Sequence, residues 1–430
     1  MPAPALPETF FPGLSEILAN SARQSSRMVL REAENVIAEG NRVQARAPEL
    51  PSVSAGLTYY PFDMQSRNHQ GTQNVDQLSY NLGVTQPIYH WGALRDAART
   101  GALGAKIARG QTADAYRALI VEIRGQYLQL IIKKNGLARA RYAQQRAERN
   151  LELAKLQLER HIIADSDTFG PTLTAEQAVL NTDRAVEDFE NARTAFAKTS
   201  GGPAPTEAQL PDSIPAVTPA PAALQEIYAS FTHEAEPNTF GLQILREQIA
   251  IEKLNYAVAA KRLRPTLNGL AGVSQNQTSY SQDPGARYQV RDMFVGVQIG
   301  WSIFDGFATR AVKANSLARR RELEQSYRDQ TADVLESVRS QFRQLEFSAR
   351  NLSMAERLYA VALNGYNFQK DNLARGLASQ ADVDNARLSI YDADIAIYGA
   401  RADYLMKVAD FLSTTLADPA LANLPPDLRR

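Results

Sequence analysis

Cysteine is absent from the 430 residues, which excludes disulfides, thiolate metal sites, a catalytic thiol and a lipidated cysteine within this sequence. Histidine is scarce. His69, His90, His161 and His233 fall in different segments without ligand spacing, so no metal site is expected. The six methionines are scattered, which argues against a soft-metal path lined by thioethers. Neither charge prevails: Lys plus Arg and Asp plus Glu both number 47, so no net field favours nucleic acid or an anionic surface. No apolar run approaches the roughly eighteen residues of a membrane-spanning helix. The opening Met1-Pro2-Ala3-Pro4 stretch has neither the basic nor the apolar region of a signal peptide, so the protein is either cytosolic or read after removal of a signal. Nucleophile elbow, phosphate loop and acid pair are missing too, and neither enzyme activity nor a cofactor is expected.

What is present is a repeat. "YNLGVTQPIYHWGALR" (residues 80–95) superposes on residues 295–310 within "FVGVQIGWSIFDGFATR" at an offset of 215, the spacing of Arg95 and Arg310. Tyr80, Leu82, Val84 and Ile88 fall on Val295, Val297, Ile299 and Ile303. The same register continues through Leu119, Ile123, Arg124, Gln126 and Tyr127, which meet Val334, Val338, Arg339, Gln341 and Phe342. One register held across a period of two and then a period near 3.6 indicates two copies of one unit. The first covers residues 1–200, with strands at about 51–60 and 77–89 and a long helix at about 93–160. The second covers 223–415, with strands at about 265–274 and 289–304 and a long helix at about 307–375. In each copy a helix of thirty-odd residues comes first (about 14–43 and 223–262). A polar loop joins the strands (61–75 and 275–286), and a shorter helix returns at the end (about 171–198 and 379–414). Residues 201–222 contain six prolines and read as an extended connector, and 416–430 as a loose tail.

The strands alternate apolar Val295, Val297, Ile299, Trp301 and Ile303 with small or polar Gly296, Gln298, Gly300 and Ser302, which suits a strand between lipid and water. The same pattern suits one face of a soluble sandwich. A chain with four strands and so much helix has no second sheet to cover that face. In lipid the strands must close into a barrel, which four cannot do. Two chains would give a filled eight-stranded barrel, and three would give twelve strands with room for a lumen. Tyr89, Trp91, Trp301 and Phe304 at the strand ends match an aromatic girdle. The helices carry a stripe (Val338, Phe342, Leu345, Ala349, Leu352, Tyr359) and a return stripe (Ala386, Ile390, Ala393, Ile397, Ala400, Tyr404) with a coiled-coil period near 3.5.

This plan, with "IGWSIFDGFATR" and "RGLASQADVDNAR" (375–387), resembles the TolC family of outer-membrane efflux and secretion channels over nearly the whole chain. The resemblance implies a mostly α fold with a small β part: a homotrimer whose twelve-stranded barrel in the outer membrane continues into a twelve-helix barrel in the periplasm. A removed signal peptide follows from it. Implied partners are outer-membrane lipid, a periplasmic adaptor and an inner-membrane pump or ABC transporter, with no nucleic acid. The chain would then serve tripartite efflux or type I secretion, the missing lipidated cysteine favouring the second or a channel serving both. By the same resemblance Asp382 matches the first acidic residue of a pore constriction and Asn385 stands where the second would be. Arg375, Gly376, Leu377 and Ser379 match the tip that meets the adaptor. A local reading of Asp382 stands beside this one: with Ser379 it forms a capping pair that starts the return helix. The first-copy tip reads as seven residues longer between Arg160 and Ala178, which suggests an asymmetric adaptor seat involving Asp167 and Phe169. A cytosolic coiled-coil scaffold with small hairpins is the rival reading.

Overall fold

The computed structural model describes residues 5–67, 71–233, 237–280 and 283–425. Nine α-helices and four strands lie among them: α1 (Pro7–Phe10), α2 (Pro12–Gln24), α3 (Ser26–Arg46), β1 (Ser52–Arg67), β2 (Gly71–Tyr89), α4 (Ala93–Glu159), α5 (Phe169–Ser200), α6 (Gln225–His233), α7 (Phe240–Lys261), β3 (Thr266–Tyr280), β4 (Asp283–Gly300), α8 (Ala308–Ala374) and α9 (Gln380–Thr414). They fall into two compact units. A helical unit comprises residues 1–33, 109–243 and 328–430, and a strand-bearing unit comprises 34–108 and 244–327.

In the strand-bearing unit one antiparallel sheet has the order β1-β2-β3-β4. Its register sorts the side chains by face. On one face Val53 pairs with Val84, Ala55 with Leu82 and Leu57 with Tyr80. That row continues through Val84–Ala271 and Leu82–Val273, then Ala271–Val295, Gly269–Val297 and Leu267–Ile299. Within this row the register does not shift, so alternation keeps the face apolar across all four strands; the irregularities fall outside it, at Tyr60/Asp63, Pro87/Tyr89 and Ser279/Tyr280. The stretches at 61–75 and 275–286, expected as loops, are mostly strand. Only 68–70 and 281–282 fall outside the described residues. Their Tyr, Gln, Ser and Thr content is compatible with pleated pairing once a neighbouring strand supplies the ladder. β4 stops at Gly300, four residues before the expected end, because Gly306 (φ +63°) and Phe307 (φ +67°) turn the chain into α8.

The helical unit packs its core around Leu14 and Leu18 of α2, Tyr116, Ile120 and Ile123 of α4, Phe189 and Phe196 of α5, Leu345 of α8 and Tyr404 and Phe411 of α9, all nearly inaccessible. α4 and α8 run for 67 residues each without proline, which would remove a hydrogen bond and clash with the preceding turn. Two helices expected as single pieces are broken. Ser25 (ψ 131°) separates α2 from α3, and a non-helical stretch including Pro237 precedes α7. The return helix α5 starts at Phe169, two residues before its expected start, and stops at Gly201. There φ is +76° and a β-carbon would lie 2.2 Å from the Gln24 carbonyl oxygen, so only glycine fits.

The connector at 201–222 is largely irregular and inserts Leu210, Ile214 and Val217 into the core. Arg401 donates to the Ile214 carbonyl (2.6 Å) and the Ala220 amide donates to the Tyr404 hydroxyl (2.9 Å). The tail, expected to be loose from 416, is held as far as 425. Residues 419–423 form a 3-10 turn, Leu424 is buried, and Asp418 accepts two bonds from the buried Arg124 guanidinium. Arg124 also donates to Glu8, so both terminal segments are fastened to one point on α4. The tail was misjudged because its prolines carry a local signal while its anchor lies 294 residues away in sequence.

Candidate functional site

Two constellations carry the chemistry, one in each unit. In the strand-bearing unit the apolar face described above is open: Val53, Leu57, Met293, Val295, Val297 and Ile299 are all more than 60% exposed. The opposite face pairs Ser54 with Gly83 and Gly56 with Asn81, then Asn81 with Ser274 and Asn268 with Gln298. Leu270, Val290 and Phe294 are among its apolar exceptions. At the far end Tyr80 and Arg291 both donate to Gln275, closing the apolar band with a polar network.

The helix-side end carries the expected aromatics. Tyr89 and Trp91 meet edge-on at 5.0 Å. The Trp91 indole N–H donates to the Pro265 carbonyl (2.7 Å) and that of Trp301 to the Leu263 carbonyl (3.0 Å), while both rings stay partly exposed. Indoles with one wet, hydrogen-bonded edge and one open ring suit an interface between apolar and aqueous phases. Phe304 is 69% exposed and packs on Phe307. Trp301 and Phe304 lie just beyond β4, not within it.

The tip between α8 and α9 is built by its caps. α8 ends in a Schellman motif: the Leu377 amide donates to the Asn372 carbonyl (2.8 Å), the Gly376 amide to that of Leu373 (3.0 Å), and Gly376 takes φ +71°. Ser379 then caps α9. Its amide and hydroxyl donate to Asp382 Oδ2 at 2.9 and 2.6 Å, and the Asp382 amide donates back to Ser379 Oγ at 3.2 Å. Arg375, Gly376, Leu377, Ser379, Asp382 and Asn385 are all exposed. The Ser379 hydroxyl and backbone bonds hold the Asp382 carboxyl below its usual range. A lowered value means the charged form stabilises the folded tip above the ordinary carboxylate range near pH 4. That contribution is lost as pH falls through the lowered value. The protection factor of the Ser379 amide, the observed exchange rate corrected for the base-catalysed intrinsic rate, is therefore expected to hold steady from pH 7 to 5 and to fall under stronger acid; a fall between pH 7 and 5 would contradict the assignment.

The first tip corrects the sequence reading. The His161 amide donates to Leu158 and that of Ile162 to Gln157, with φ +56° at His161: the same Schellman motif, with histidine where Gly376 stands. Asp167 Oδ2 accepts from the Ala164 amide (3.0 Å), as Asp382 does from Ser379. These matches keep the offset of 215, as do Gly201 and Leu416, both with positive φ where the return helices stop. The expected seven-residue excess is therefore absent. It arose from pairing Ala178 with Ala386 in alanine-rich helix, where one register scores much like another.

Sequence reading also passed over Asp384. Its carboxylate is nearly buried and accepts from Tyr142 (3.1 Å), Gln380 (2.9 Å) and Arg149 (3.4 Å), fastening α9 to α4. Burial, then the neighbouring Asp384 charge, raises the Tyr142 hydroxyl above its ordinary value. The available signal was Tyr391, seven residues on along one coiled-coil face, which packs against Tyr142. His90, one of the scattered histidines, bonds Asn268. Among the described residues no cluster of metal-ligating side chains occurs, and no helix is long and apolar enough to cross a membrane.

The sheet thus has one open apolar face and one largely hydrophilic face, in a chain whose two longest helices run for 67 residues each. The comparisons point to outer-membrane proteins. A family model described as outer membrane efflux protein matches residues 233–411. The outer membrane protein TolC of Vibrio cholerae is 21% identical over 405 residues, 92% of this chain and 88% of TolC. The outer membrane efflux protein BepC of Brucella suis is 25% identical over 195 residues, 44% of this chain and 41% of BepC's length. The solved CmeC outer membrane channel of Campylobacter jejuni has the same fold, with a TM-score of 0.72 at 12% identity, covering 97% of this chain and 91% of that one. Residues 233–411 thus match the outer membrane efflux protein family, and the chain as a whole is similar to TolC in sequence and to CmeC in fold.

Proposed function

We propose that three copies of this chain form an exit duct across the outer membrane and periplasm, serving a tripartite efflux pump or a type I secretion system. The observation that carries this reading is the single apolar face running through all four strands, backed by Ser, Gly, Asn and Thr. β1 and β4 are the two edges of the sheet, and an open edge is not tolerated in lipid. Pairing β4 of one copy with β1 of the next closes twelve strands around a lumen. The duplication reading is supported by four pairs of positive-φ residues 215 apart: Trp91 and Gly306, Gly92 and Phe307, His161 and Gly376, Gly201 and Leu416. Gln126–Thr199 and Gln341–Thr414 repeat one hydrogen bond at the same spacing.

In this reading a signal peptide is removed before assembly. Arg375, Gly376, Leu377 and Ser379 meet a periplasmic adaptor, which links the duct to an inner-membrane pump or ABC transporter. The equal geometry of the first tip argues for a seat of the same build there, with His161 and Ile162 in place of Gly376 and Leu377. Asp382, with Asn385 one turn on, lines the entrance.

Single-channel recording in a planar bilayer tests the entrance. Asp382→Ala is expected to reduce cation selectivity, whereas Ser379→Ala, which removes the hydroxyl and keeps the charge, leaves selectivity in place. Equal behaviour of the two variants would assign Asp382 to capping alone.

A further inference from the structure

Where β4 hands over to α8, a cleft of about 510 Å³ opens, within the range of small-ligand sites. Tyr256 and Leu263 line one side, Phe304 and Phe307 another, and Arg310 and Lys313 of α8 supply two cations. No ion pair engages Arg310 or Lys313 among the described residues. The acid at hand, Asp305, is occupied: its Oδ2 accepts from both the amide (3.0 Å) and the hydroxyl (2.6 Å) of Thr309, capping α8. The Lys313 ammonium stands over the Tyr256 ring, 5.3 Å from its centre.

The backbone here is strained as well. Phe307 takes φ +67°, a conformation costly for a bulky side chain, at the position where the matching turn places Gly92. That conformation accompanies an edge-on contact with Phe304 at 5.3 Å, in which both rings are about two-thirds exposed. The cleft lies at the end of the apolar face, beyond Val297, Ile299 and Trp301. A ligand seated in it would need a negative head for the two cations and a long apolar portion for the sheet.

We propose that this cleft binds the headgroup phosphate of an anionic phospholipid of the adjoining leaflet, with the acyl chains laid along the apolar face of β4. The inference rests on the reading of that face as lipid-facing. The headgroup accepts from Arg310 and Lys313 and packs its glycerol against Phe304 and Phe307. A zwitterionic lipid fills the same space but brings its own cation, so the site discriminates by charge.

Delipidated full-length protein in detergent, titrated with phosphatidylglycerol, phosphatidylcholine or inorganic phosphate and read by native mass spectrometry, tests this. Phosphatidylglycerol is expected to bind roughly tenfold tighter than phosphatidylcholine, and the double variant Arg310→Ala/Lys313→Ala to lose that preference. Arg310 is exposed and Lys313 half-buried, and circular dichroism checks the fold. Arg339→Ala, in the other unit, should leave the preference intact. Equal binding of the two lipids, an unaltered double variant, or competition by phosphate alone would overturn the proposal. So would Lys313 protected from amine labelling without lipid, which would assign the cleft to a second copy of the chain. Failure of the wild-type protein to enter vesicles at all would instead sink the membrane reading, which separates the two.

Discussion

Arg124→Met is expected to destabilise the protein by about 3–5 kcal/mol, seen as a large fall in the unfolding midpoint followed by circular dichroism. The guanidinium is fully buried, and so is Asp418. Burial alone would lower the Arg124 pKa; the bonds to Asp418 and Glu8 outweigh it and hold the value raised. Removing the cation leaves the buried Asp418 carboxylate and the partly exposed Glu8 carboxylate without their counterion. Replacing the group together, Arg124→Met with Asp418→Leu and Glu8→Leu, should recover much of the loss, since a buried ion cluster and an apolar one of similar volume differ little. The chain carries its own control. Arg339 stands 215 residues on, with half its side chain exposed and Glu336 at 4.0 Å. Arg339→Met is expected to change stability by no more than about 0.5 kcal/mol. Equal effects at the two positions would show that the clamp of both terminal segments on α4 does not hold the helical unit together.

Val295→Arg is expected to cost about 2–4 kcal/mol on folding into a bilayer and to reduce the inserted fraction sharply. Val295 is 90% exposed in the single chain and stands in the middle of the apolar row between Met293 and Val297. Gln298→Arg places the same charge on the opposite face, beside Asn268, where water accepts it. Insertion into phosphatidylcholine vesicles should therefore distinguish the two variants, with Gln298→Arg close to the parent. Equal tolerance of both would mean that the apolar face is covered by protein, as the scaffold reading requires.

The parts of this molecule that were legible in its sequence are those with a strong local period. Alternation at 293–300 fixed which side chains share a face, and the absence of proline from α4 and α8 set their length to within a residue or so at each end. Aromatics at the strand ends were visible, although Trp301 and Phe304 proved to follow the strand. The Ser379–Asp382 cap was legible because capping chemistry acts over three residues. What escaped depends on distance or on degenerate sequence. Glu8, Arg124 and Asp418 meet across 116 and 294 residues, and no window contains them. Asp384 looked like one more charge on a solvated helix until Tyr142 and Arg149 came to it from α4. The first tip was misread because alanine-rich helix aligns with itself in several registers. Its true register is fixed by φ at His161 and by the Asp167 cap.

How many copies close the sheet decides most directly between a channel and a scaffold. The native mass of the protein extracted in detergent, corrected for bound detergent, measures this. A mass of three chains, stable only with detergent or lipid, is the predicted result. A monomer that stays soluble without detergent would contradict the channel.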